Sequence, residues 1–130
     1  MAKSDSEVIR EHFRLADRFL KTARLSQRDG DWRTAADRAY YAMFHAASAA
    51  LYQRGILAKS HKGLISQFSK EYIKRGLIDP ELGRSLRQGF SLRQASDYEL
   101  YAIIEEEQVE ELVVRAQEFV AHLKKLLSVS

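Results

Sequence analysis

The sequence predicts an all-α protein, an antiparallel up-and-down bundle of four to five helices. Apolar residues recur at three- and four-residue steps along most of the chain, the spacing that lines one face of a helix. Asp29-Gly30, Arg54-Gly55 and Arg75-Gly76 each close a long periodic segment, and glycine accepts the left-handed geometry of a helix C-cap. No segment sustains the two-residue alternation of a half-buried strand, so no sheet is expected.

The first helix opens on a capping box, Ser4-x-x-Glu7, and carries Ile9, Phe13, Ala16, Leu20 and Ala23 as one apolar stripe that ends near Arg28. The second starts at Asp31 and runs to Arg54. It is apolar on nearly every side, which a helix tolerates only when neighbours cover most of its circumference, so it is the expected centre of the bundle. After a short loop, a third helix spans His61 to Arg75, with Leu64, Ile65, Phe68, Tyr72 and Ile73 inside and Lys62, Lys70 and Lys74 outside. Asp79-Pro80 supplies an N-cap followed by proline in the first turn. The fourth helix that it opens carries Leu82, Leu86 and Phe90 and is expected to reach Ser96. Periodicity breaks from Asp97 to Ile104. A last helix then begins at Glu105, Glu106 and Glu107 and ends at Lys124 and Lys125, charges that complement its dipole. Its inner face is Val109, Leu112, Val113, Ala116, Phe119, Val120 and Leu123.

With 130 residues there is room for one core, so a single domain over 1–130 is expected. One proline and no cysteine exclude a disulfide framework, a cysteine-based zinc site, a cysteine nucleophile and a proline-rich linker. The N-terminus lacks the apolar core of a signal peptide and no apolar run reaches the length of a membrane span, so a soluble, cytoplasmic chain is expected. The net charge of +3 hides an asymmetry: residues 1–98 hold 18 Lys and Arg against 11 Asp and Glu, whereas 99–130 hold 3 against 7. That distribution suits a polyanionic partner or self-pairing, but no run of five basic residues forces nucleic-acid binding. The chain has no P-loop, GxGxxG, HExxH or GxSxG motif, and its four histidines are scattered, so neither a cofactor nor a metal is expected.

Three groups of residues carry candidate chemistry. Arg38, Tyr41 and His45 share one face of the second helix, where a guanidinium calls for either a carboxylate partner or a phosphate. Arg93 and Asp97 are i, i+4 neighbours if the fourth helix persists. They can then form a helix-end ion pair, or Arg93 can hold a phosphate while Asp97 or Tyr98 handles a hydroxyl proton. Ser60-His61-Lys62 opens the third helix, where backbone amides, His61 and Lys62 make an anion site, although an N-cap role alone accounts for Ser60.

In the blocks RAYYAMFHAASAAL, SHKGLISQF and LRQASDY the chain resembles the HEPN domain family, small helical nucleotide-binding domains. The resemblance runs from the first helix to the last and places Arg38, Tyr40 and Tyr41 in the family's RxYY block. It implies a bundle of four or five helices that pairs as a homodimer, and a minimal nucleotidyltransferase as partner in an arrangement like a toxin–antitoxin pair. Many members are metal-independent ribonucleases with an Arg-x4–6-His motif. Here the matching stretch is Arg93-Gln-Ala-Ser-Asp97-Tyr98, with no histidine after Arg93. Arg38 with His45, Arg54 with His61 and Arg115 with His122 all fit the bare spacing, so the spacing alone discriminates nothing. Asp97 is a poor substitute for the imidazole, since a carboxylate near pH 7 is a weak base and holds no proton to give. The histidine-x-tyrosine acceptor for adenylylation is also unmatched, although Tyr98 and Tyr101 lie close by. The expected function is therefore an accessory protein that binds nucleotide or RNA phosphate through Arg38, Tyr41, His45, His61, Lys62, Arg93, Asp97 and Tyr98. A metal-independent RNA endonuclease in which His45 or His61 moves beside Arg93, and a purely structural dimerisation bundle, stand as alternatives.

Overall fold

A computed structural model describes residues 4–98 and 103–129, apart from the side chain of Tyr98. Among these residues the chain forms five α-helices and no strand. They are α1 (Asp5–Arg28), α2 (Trp32–Gln53), α3 (His61–Phe68), α4 (Pro80–Tyr98) and α5 (Glu106–Leu126). The caps explain the boundaries. Ser4, Asp31 and Ser60 accept from the backbone amides of Glu7, Thr34 and Gly63, each satisfying a donor that the first turn leaves open. Gly30, Gly55 and Gly76 follow the helical segments at φ of 74°, 76° and 73°, where a side chain would be strained.

α2 is the centre of the bundle and packs against α1, α3, α4 and α5. Ala35, Ala36, Ala39, Ala42, Ala46, Ala47, Ala49 and Ala50 are all buried on it. Side chains this small let neighbouring backbones come close, so burial here means tight helix approach rather than large interdigitating groups. Volume is supplied from around it by Phe13, Phe68, Leu86, Phe119 and Leu123. α4 also backs closely onto α2, since a Cβ at Gly89 would lie 2.7 Å from Met43 Cε and 3.3 Å from Tyr40 Cδ1. One side of α2 is only partly covered, along Asp37, Arg38, Tyr41, Phe44, His45 and Ser48.

One expectation needs correction. The third helix is not a continuous α-helix to Arg75, because Ser69–Ile73 forms a π-helical turn closed by the Lys74 amide donating to the Ser69 carbonyl at 2.8 Å. The wider turn carries Tyr72 inward, where its hydroxyl donates to the Ala50 carbonyl of α2. The fourth helix ends in the expected neighbourhood of Ser96, at Tyr98, so Asp97 is helical. Ser96 stays in register there, its carbonyl accepting from Arg33 Nη1 at 2.6 Å.

Candidate phosphate-binding site

The partly covered face of α2 meets α4 around one carboxylate that sequence reasoning did not count among the site residues. Asp37 lies one residue before Arg38 and accepts ion pairs from two helices. Arg38 Nη1 is 3.4 Å from Asp37 Oδ2, and Arg93 Nε is 3.7 Å from Asp37 Oδ1. Because α4 persists to Tyr98, Arg93 Nε also lies 3.1 Å from Asp97 Oδ2. Burial pushes the Asp37 carboxyl up from its ordinary range; Arg38 opposes this, Asp97 adds to it and Arg93 opposes it more weakly. The four charged groups sum to zero.

The two guanidiniums are gripped by charge and by ring faces rather than by aligned hydrogen bonds. Arg93 sits over the Tyr41 ring at 5.3 Å and Arg38 over the Phe19 ring at 5.6 Å, both within cation–π range. Both Nε atoms are buried without a hydrogen-bond partner. The Arg93 side chain is 16% exposed and that of Arg38 39%, so Arg38 forms the open side of the cluster.

His61 joins from the first turn of α3. Its ring lies 5.8 Å from the Tyr41 ring that carries Arg93, and is packed between Phe44 at 4.9 Å and Phe90 at 5.7 Å. Burial, and then the nearby Arg93 charge, lower its pKa, so it is neutral at pH 7. Its Nδ1 is 2.7 Å from the hydroxyl of Tyr40, a residue with no exposed surface. Burial, foremost among the causes, raises the Tyr40 pKa, so the phenol stays protonated and shares one hydrogen bond with Nδ1, as donor when the imidazole proton is on Nε2 and as acceptor when it is on Nδ1. A neutral imidazole that accepts at Nδ1 carries its own proton on Nε2. In the Nε2-protonated tautomer His61 keeps one donor that Tyr40 does not occupy.

Not every candidate joins. His45 belongs to a separate pair, with its Nδ1 3.1 Å from His12 Nδ1 and its ring stacked on Phe19 at 5.5 Å and 7°. Burial, reinforced by the neighbouring His12, pushes it down to about 4. Ser60 is an ordinary N-cap and Lys62 is exposed on the outer side of α3. The Tyr98 side chain and all of Tyr101 lie outside the described residues. A groove of about 480 Å³ between α4 and α5, with Arg84, Arg87 and Arg115 in its wall, involves none of the cluster residues. Phe19 and His12 were missed, whereas Asp37 was expected only as an ion-pair partner of Arg38 and Tyr40 only as part of the RxYY block. For Phe19 and His12 a signal exists, since His12, Leu15 and Phe19 form a second stripe at three- and four-residue steps beside the core stripe of α1.

The sequence matches the HEPN domain family over residues 9–126. A UPF0332 protein of Thermotoga maritima is 31% identical over 125 residues, which cover 95% of this chain and 95% of that protein. A Methanocaldococcus jannaschii protein named "Putative toxin MJ0605" is 33% identical over 125 residues, 96% of this chain and 92% of that protein. A UPF0332 protein of Archaeoglobus fulgidus is 30% identical over 88% of this chain and 91% of its own length.

Proposed function

The chain belongs to the HEPN domain family, and from that premise we propose that it is the phosphate-binding component of a toxin–antitoxin-like module. It takes a nucleotide or RNA phosphate at Arg38 and Arg93, acts in the cytoplasm as a homodimer, and docks on a minimal nucleotidyltransferase. The observation that carries the reading is the pairing of Arg38 and Arg93 on Asp37, with the His61 ring beside the Tyr41 ring that carries Arg93, on a partly open face. A guanidinium held by charge without aligned hydrogen bonds can exchange a carboxylate for a phosphate oxygen, and its planar fork suits that geometry. The toxin side of the reading is supported by the name of the M. jannaschii relative, and the partner by the family resemblance. Isothermal titration with ATP, GTP and a short RNA tests it. Wild type binds at least one of them and Arg93→Ala weakens that binding about tenfold or more; absence of binding by wild type overturns the reading.

A second reading, metal-independent RNA cleavage, is favoured by one observation: His61 lies near enough to Arg93 to feel its charge although no histidine follows Arg93 in sequence. With Nδ1 held by Tyr40, Nε2 serves as a donor to a phosphate oxygen or leaving group when it carries the proton, and as a base for the 2′-hydroxyl when Nδ1 does. Cleavage in the presence of chelator, with cyclic phosphate ends and loss on Arg93→Ala and His61→Ala, is its signature. Intact RNA at high protein concentration contradicts it.

A further inference from the structure

His12 and His45 stand 33 residues apart in sequence and are paired across the α1–α2 contact, outside the phosphate-binding cluster. Their two Nδ1 atoms point at each other at 3.1 Å. A zinc-type ion sits about 2.0–2.1 Å from an imidazole nitrogen, so two such ligands are about 2.9 Å apart at a right angle and about 3.3 Å apart at the tetrahedral angle. The observed separation falls between these values, which makes the pair a ready bidentate chelator.

We propose that His12 and His45 form a binding site for a borderline-soft divalent transition ion, zinc, nickel or copper. Three features prepare it. The two imidazoles come from different helices of the most extensively packed pair in the bundle, so their spacing is fixed by the fold. The ring of His45 is held flat on Phe19 and edge-on to Phe44, which sets its direction. The two Nδ1 atoms already face each other at ligand spacing, so neither ring has to change rotamer to chelate. In the metal-free pair one ring donates its Nδ1–H to the other; binding moves that proton to Nε2 of the same ring and replaces the hydrogen bond with two metal–nitrogen bonds. Glu11, beside His12, contributes negative charge. Among the described residues no third histidine, cysteine or carboxylate joins the two, so the remaining coordination positions are open to water. Such a two-imidazole site binds more weakly than a closed four-ligand structural site. The ion would clamp α1 to α2.

Tag-free protein is titrated with zinc, nickel and magnesium chlorides by calorimetry and thermal unfolding, and with copper by electron paramagnetic resonance. Zinc and nickel are expected to bind and raise the melting temperature by several degrees, magnesium to do neither, and the copper spectrum to show coupling to two nitrogens. His12→Gln and His45→Gln should each lower affinity at least tenfold, whereas His122→Ala on the exposed side of α5 should leave it unchanged. Circular dichroism confirms that each variant is folded, and His12→Gln on the partly exposed side of α1 serves if His45→Gln is not. Binding by wild type no stronger than by His12→Gln, equal loss in His122→Ala, or an equal response to magnesium overturns the proposal.

Discussion

At the scale of single residues, the organising contact is the one between Tyr40 and His61, because it occupies Nδ1 of the imidazole and leaves Nε2 for any other partner. Tyr40→Phe keeps the ring in its buried place and removes the donor. It should cost about 0.5–1.5 kcal/mol in urea unfolding and free Nδ1 of His61, which nitrogen-15 shifts report directly. The pair His12 and His45 sets a pH dependence. Both have native pKa values below that of an unfolded histidine, so between about 4 and the ordinary histidine value of 6.5 the unfolded chain binds more protons than the native one. Stability is therefore complete only above about pH 6.5 and declines as pH falls toward 4. His45→Phe, which retains the stack on Phe19, should flatten that decline in melting temperature measured across the window. Unchanged steepness would contradict the assignment.

At the scale of elements, the alanines of α2 predict intolerance to volume. Ala39 has no exposed surface, and Ala39→Leu should lower stability by about 1–3 kcal/mol or more, read as a shift of the urea midpoint. The same alanine-rich pattern made α2 recognisable as the central helix from its sequence, and the glycines, Asp31 and Asp79-Pro80 marked the helix ends. The π-helical turn after Phe68 was not legible, because its register is set by Tyr72 reaching the Ala50 carbonyl on another helix. The site divides in the same way. Helical spacing placed Arg38 and Tyr41 on one face and Arg93 beside Asp97, all relations within one helix. The pairings of Arg93 with Asp37, Tyr40 with His61 and His45 with His12 are made between helices, and periodicity within a helix carries no information on which faces meet.

At the scale of the whole molecule, the bundle has a covered core and one partly open side along α2, where Tyr41, Phe44 and Ser48 are half-buried. A second copy packing there is the proposed dimer, and light scattering should give twice the chain mass at micromolar concentration; a monomer at high concentration would contradict it. Affinity capture from the source organism should return a minimal nucleotidyltransferase in stoichiometric amount, and recovery of the chain alone would remove the partner from the account. No described helix is long and apolar enough to cross a membrane. The central claim, that Arg38, Arg93 and His61 together receive a phosphate, is tested most directly by titrating nitrogen-15-labelled protein with a short RNA and following side-chain resonances. The account predicts that Arg38 Nε, Arg93 Nε and His61 Nε2 shift together with one saturation curve while His12 and His45 stay in place. Shifts confined to other surfaces, or none at saturating RNA, would contradict it.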